Sequence, residues 1–173
     1  ISGFIVSGIV VSMYDFSGKV AVVTGASRSI GRAITLALAE GGCAVVVNYS
    51  KSRGDADDVV QSIKDMGGDA FSFRCDVSKR EQVEAMLRAA IEKYGKVDIL
   101  VNNAGIAIGG SILDTTDEIW DRQLAVNLKG VFLCTQAVVP YMKEKKYGRI
   151  VSAASNVGLR GNFGQTNYSA TKA

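Results

Sequence analysis

The sequence predicts an α/β protein built on a doubly wound parallel sheet with helices on both faces. Three observations carry this. Short apolar, β-branched runs alternate with amphipathic helical stretches five times along the chain. The connections between runs are too long for hairpins, so the strands are parallel and joined by right-handed crossovers. The unusual polar segments all follow strands: TGASRSIG after the first, CDVS at the end of the third, NNAG after the fourth and SAASNVG after the fifth. Ligands of such sheets bind beyond the carboxyl ends of the strands, so these segments mark the functional end.

The elements follow in order. KVAVVTG, ending at Gly25, is a short buried strand by length and composition. IGRAITLALAE is a helix with Ile30, Ile34 and Leu38 on one face, stopped by Gly41-Gly42. CAVVVNY is the second strand. A helix near 54–66 turns Val59, Val60, Ile63 and Met66 inward and ends at Gly67-Gly68. AFSFRCDV is the third strand, after which Ser78 and Glu81 form a capping box ahead of VEAMLRAAIEKYG. KVDILVNNAG supplies the fourth strand. Thr115 and Glu118 repeat the capping signature before a long helix over about 116–145. GRIVSAAS is the fifth strand, and the last helix starts near Gln165.

At 173 residues without repeats or proline-rich linkers, the chain is expected to hold one domain, residues 13–173. Its 47% apolar and 21% charged residues describe a globular protein rather than a disordered one. A net charge of +3 with no Lys/Arg cluster gives no reason to expect a nucleic acid partner. There is no histidine, and Cys43, Cys75 and Cys134 lack ligand spacing, so no metal site is expected. Three reduced, buried thiols fit a cytoplasmic protein. Residues 1–12, ISGFIVSGIVVS, are apolar but too short to span a bilayer, and lack the basic region of a signal peptide. They read as a non-native extension ahead of Met13, with the remnant of a membrane anchor as the alternative.

The turn Thr24-Gly25-Ala26-Ser27-Arg28-Ser29-Ile30-Gly31 joins a strand to a helix. Glycines there let backbone N–H groups approach a pyrophosphate at the helix N-terminus. NAD sites usually carry an acid about twenty residues further on, which hydrogen-bonds the ribose 2′-OH. No acid stands between Glu40 and Asp55; the second strand ends in Asn48-Tyr49-Ser50-Lys51. Arg28, with Lys51 or Arg53, suits a 2′-phosphate instead, which favours NADP(H) over NAD(H).

Near the end of the sequence, Tyr168 and Lys172 stand four apart on the last expected helix, on one face and one turn apart. An ammonium so placed favours an ionised phenol, which can exchange a proton with a carbonyl or alcohol oxygen. Tyr141 and Lys145 match the same spacing, but in the charged helix end KEKKYG. Tyr168 differs in its setting, just after the fifth strand and near Ser155.

From about Met13 onward the chain resembles the short-chain dehydrogenase/reductase family. NVGLRGNFGQTNYSATKA and VNLKGVFLCTQA are most similar to its 3-oxoacyl-acyl-carrier-protein reductase branch. The family pattern T-G-x-x-x-G-x-G matches Thr24, Gly25 and Gly31, with Ser29 where the middle glycine belongs. The resemblance implies a Rossmann-like fold and a cofactor site drawn from Gly25, Ser27, Arg28, Ile30, Gly31, Asn48, Tyr49, Ser50, Asp76, Val77, Asn103, Ala104, Gly105, Tyr168 and Lys172. Asp76 matches the acid that contacts adenine. The catalytic group implied is Asn127, Ser155, Tyr168 and Lys172. Tyr168 is then the general acid/base, and Lys172 holds the nicotinamide ribose. Ser155 bonds the substrate oxygen, and Asn127 keeps a water that links Lys172 to solvent.

The expected function is NADP(H)-dependent interconversion of a 3-oxoacyl-type ketone and a secondary alcohol, with a small-molecule substrate. A sugar or steroid alcohol substrate and a non-catalytic nucleotide-binding fragment are the alternatives. GIAIGGSILDTTDEIW lacks the arginines of the acyl-carrier branch, so a carrier-protein partner has no support here. Family members continue past this lysine, so the chain is expected to be incomplete, and its full-length form a homotetramer.

Overall fold

A computed structural model describes residues 4–6, 9–11 and 14–173. Strands β1 (Phe4–Val6) and β2 (Ile9–Val11) pair antiparallel in a separate two-stranded sheet. The rest of the expected extension, and Met13, lie outside the described residues.

The main sheet holds β3 (Val20–Val23), β4 (Ala44–Tyr49), β5 (Ala70–Arg74), β6 (Ile99–Asn102) and β7 (Arg149–Ser152). All are parallel, in the order β5-β4-β3-β6-β7. The winding reverses at β3, which pairs Ala21 with Val45 on one side and with Ile99 on the other. The crevice between the carboxyl ends of β3 and β6 is therefore the place for a ligand. β3 and β6 are buried along their whole length, as unbroken apolar strands in a covered parallel sheet must be.

Alternate side chains feed two cores. Ala21, Val23, Val45 and Val47 pack against α1 (Ser29–Glu40) and α2 (Arg53–Asp65), chiefly through Ala39, Val59 and Ile63. Val22, Val46 and Leu100 face α3 (Arg80–Tyr94) and α5 (Gly130–Glu144), meeting Met86, Leu87, Leu133 and Val138. Each large side chain so buried contributes roughly 1.5–3 kcal/mol. α5 continues α4 (Asp117–Leu124) through a π-helical turn, Ala125–Lys129. This 28-residue rod has the length and mean hydropathy of a membrane span. Its apolar residues Leu133, Cys134, Val138 and Met142 are nevertheless spent on the second core. β7 differs from the other strands of the main sheet in being exposed throughout, with Val151 57% accessible.

Four expectations are corrected. α1 buries Gly31, Thr35 and Ala39; of the expected face, Ile34 and Leu38 pack partly buried against the core, whereas Ile30 is 69% exposed. The helix is pressed so close to the turn before it that a residue without a side chain must face inward. Met66 is the C-cap of α2 and is exposed, not inward. Ser78 caps nothing: Lys79 is the N-cap of α3, and Ser78 Oγ donates to Asp76 Oδ1 at 2.7 Å. At α4 the cap is Thr116, whose Oγ1 accepts from Ile119 N, whereas Thr115 donates to Ser111 O. In both cases the hydroxyl donates to a local acceptor in the loop, and no helix N–H among the described residues donates to it. A short helix without an apolar repeat, α6 (Asn156–Arg160), precedes α7 (Thr166–Lys172).

Candidate active site

The turn after β3 is stitched to the end of β6. Thr24 Oγ1 donates to Val101 O and accepts from the N–H groups of Asn103 and Ala104, both at 3.0 Å. Asn103 Nδ2 donates to Thr24 O at 2.9 Å and Gly25 O at 3.1 Å. This leaves no room for a side chain at either glycine of the turn. Gly25 has φ +63°, and a Cβ there would lie 2.9 Å from Ala104 Cα. A Cβ at Gly31 would collide with Gly25 O. Ser29, at the position of the family's middle glycine, takes φ +49°, in the left-handed region that disfavours a side chain by roughly 1–2 kcal/mol.

Beyond this turn opens a cleft of about 430 Å³. Its walls come from four strand ends. Gly25, Ser27, Arg28, Ile30 and Gly31 line it after β3, and Asn48, Tyr49 and Ser50 at the end of β4. Asp76 and Val77 follow β5; Asn103, Ala104 and Gly105 follow β6. Spacing alone did not single out Ile106, Arg122 and Val126, which complete the wall beside the π-helical turn. Tyr168 and Lys172 are not on this wall; they stand on α7.

The residues present fit a dinucleotide. No side chain caps α1, so the N–H groups of its first turn are left for an anion. Arg28 is exposed at the cleft. Asn48, expected among the cofactor-binding residues, lines the cleft but turns its side chain into the protein. Its side chain is 1% exposed, with Oδ1 accepting from Gly25 N at 3.0 Å and Nδ2 donating to Cys75 O at 3.0 Å. Asn48 thus braces the glycine turn through both ends of its amide. Asp76 Oδ1 accepts from Ser78 N and Ser78 Oγ.

The second cluster lies around α7. Asn127 sits in the π-helical turn, a local widening that recurs at functional sites, and is 1% exposed. Its carboxamide pairs with Ile106 like one rung of a sheet: Oδ1 accepts from Ile106 N and Nδ2 donates to Ile106 O, both at 2.8 Å. The same Nδ2 donates to Thr171 Oγ1 at 3.2 Å, tying the turn to α7. Ser155 caps α6, accepting from Val157 N. α6 and α7 are in close contact: a Cβ at Gly158 would collide with Lys172 O. Lys172 Nζ donates to Ala153 O at 2.6 Å, between the end of β7 and Ser155, and lies 6.0 Å from the Tyr168 ring centre. Partial burial holds the Lys172 ammonium below the usual lysine range. The α7 helix thus brings the Lys172 ammonium, with Tyr168 one turn before it, to the backbone just after β7. Gln123, on α4, and Asn167, in the first turn of α7, are buried polar residues that carried no signal in spacing or motif.

A doubly wound parallel sheet, an uncapped helix behind a glycine turn and a cleft at the switch point define a Rossmann-like α/β protein. Residues 19–173 match the short chain dehydrogenase family, and the chain belongs to that family. It is 46% identical over 155 residues to a 3-oxoacyl-[acyl-carrier-protein] reductase of Staphylococcus epidermidis, covering 90% of this chain and 64% of that protein. It is 45% identical over 161 residues to the enzyme of the same name from Synechocystis, covering 93% of this chain and 65% of the relative. A Staphylococcus aureus reductase of that name is 45% identical over 155 residues, covering 90% and 63%. The chain thus spans somewhat less than two thirds of the length of the curated relatives it matches.

Proposed function

We propose that this chain carries a nicotinamide-dependent oxidoreductase site that interconverts a ketone and a secondary alcohol. The observation behind the reading is the contact of Lys172 Nζ with Ala153 O, one helical turn from Tyr168 and two residues before Ser155. It draws a lysine, a phenol and a hydroxyl to the carboxyl end of the sheet, where the dinucleotide cleft also opens. When bound, the cofactor supplies or accepts the hydride. Tyr168 Oη gives a proton to the carbonyl oxygen or takes it back from the alcohol. Ser155 Oγ bonds that oxygen, Lys172 binds ribose and places positive charge beside the phenol, and Asn127 anchors α7 through Thr171.

The reading favours NADP(H) over NAD(H), because Arg28 stands at the cleft and β4 ends without an acid. A 3-oxoacyl-type ketone is the favoured substrate, following the names of the relatives. A cytoplasmic setting belongs to the same reading, since Cys43, Cys75 and Cys134 are free and buried.

The test is a fluorescence titration with NADPH, followed by an activated ketone and the fall in cofactor absorbance. Tyr168→Phe is expected to abolish reduction while leaving NADPH affinity within about twofold. Reduction at the wild-type rate in that variant would remove Tyr168 as the acid. Binding without any reduction in the wild-type chain would leave a nucleotide-binding module.

A further inference from the structure

The placement of α7 (Thr166–Lys172) is set by the hydrogen bonds that dock it against the rest of the fold. One bridge runs from Asn127 to Thr171, as described. A second involves none of the four proposed catalytic residues. Gln123, on α4, accepts through Oε1 from Ile108 N at 2.7 Å. Ile108 O accepts from Asn167 Nδ2 at 3.3 Å. Gln123 is 0% exposed and Asn167 2%. Asn167 immediately precedes Tyr168 and accepts through Oδ1 from Tyr168 N at 2.9 Å. Ile108 is thus gripped on one side by α4 and on the other by the first turn of α7.

Gln123 Nε2, buried, has no partner among the described residues. A buried, unpaired amide is costly, and leucine would fill similar space without that cost. Packing alone therefore does not explain a glutamine; the bond to Ile108 N does. We propose that Gln123 is a positioning residue that acts through Ile108 and Asn167 to set the placement of α7, and with it of Tyr168. Its kinetic consequence rests on the proposed role of Tyr168; the docking of the helix does not.

The test uses the full chain with Gln123→Leu, Asn167→Ala and the double variant. Three readouts are taken: hydrogen exchange of the α7 amides, NADPH affinity, and kcat and KM for an activated ketone. Either single variant is expected to speed α7 exchange about tenfold while β3 and β6 exchange unchanged. Where the wild-type chain turns over, kcat falls about tenfold with KM and NADPH affinity within about twofold. The double variant is expected to be no worse than the worse single one, because both side chains act through one residue. Unchanged α7 exchange, exchange that quickens throughout the sheet, or effects that simply add would each overturn the proposal. If NADPH binds and no ketone is reduced, but α7 exchange responds as stated, the reaction assigned to Tyr168 fails and the docking role of Gln123 stands.

Discussion

Arg28 and Asn48 illustrate how two polar residues at one cleft do different work. Arg28 is exposed, at the head of an uncapped helix, and is available to an incoming phosphate. Asn48 is buried, with both ends of its amide committed to backbone. A charged hydrogen bond contributes about 1.5–3 kcal/mol, or roughly ten- to a hundredfold in affinity. Arg28→Ala is accordingly expected to weaken NADPH at least about tenfold and NADH less than about threefold, read by parallel fluorescence titrations. Equal losses for both nucleotides would mean that Arg28 does not face the 2′-phosphate. Asn48 stands in the strand-end run NYSK, where the chain passes from buried Tyr49 to exposed Ser50 and Lys51; nothing in that run distinguishes an inward brace from a ligand. The distinction needs Gly25 N and Cys75 O, which lie 23 and 27 residues away in sequence.

Among the elements, the turn and α1 form one unit whose geometry is dictated by contact rather than by helix propensity. Gly31 lies against Gly25 O and Asn103 Nδ2 so closely that no Cβ fits. Backbone and a hydrogen-bonded amide cannot yield as a flexible side chain would. Gly31→Ala is thus expected to cost about 1–3 kcal/mol of stability, as other overpacked sites do. It should also lower NADPH affinity at least tenfold, checked by denaturant midpoint and titration together. A variant with unchanged stability and affinity would contradict this packing. The helix itself was legible from its apolar repeat, whereas the rotation of its buried face was not, because Ile30 and Gly31 are adjacent and only the contact with Gly25 decides between them. The capping signatures failed for a similar reason: Ser78 and Thr115 each had a competing acceptor close by in the folded loop.

Over the whole molecule, the three cysteines give a stability signature. Burial pushes the thiols of Cys43, Cys75 and Cys134 up to about 12 from an ordinary 9.0, with Asp98 adding to the rise at Cys43. Between those values the folded chain keeps protons that the unfolded chain gives up. The stability they contribute is therefore whole below pH 9 and is lost as pH rises toward 12. Each thiol contributes a slope of up to about 1.4 kcal/mol per pH unit. Urea midpoints measured from pH 8 to 11 should fall, and a Cys43→Ala, Cys75→Ala, Cys134→Ala variant should lose stability less steeply over the same range. Identical slopes would show that other groups govern the alkaline limb. The same burial makes these thiols poor nucleophiles, which agrees with a site built from oxygen and nitrogen groups.

The order of the five main-sheet strands and of the helices between them was decided by the sequence alone, since a period of two or of 3.6 in apolar residues is a local property that each segment carries by itself; α6 carried no such repeat. The cleft-lining segments after β3, β4, β5 and β6 were legible for the same reason: they interrupt that periodicity directly after a strand. Tertiary structure alone decided which polar side chains are braces and which are free. It turned Asn48 inward and joined Gln123 to Asn167 through Ile108. It also drew Lys172 to Ala153 across 19 residues of sequence. Hydrogen bonds of that kind depend on the meeting of distant backbone atoms, and no local pattern in the chain encodes such a meeting.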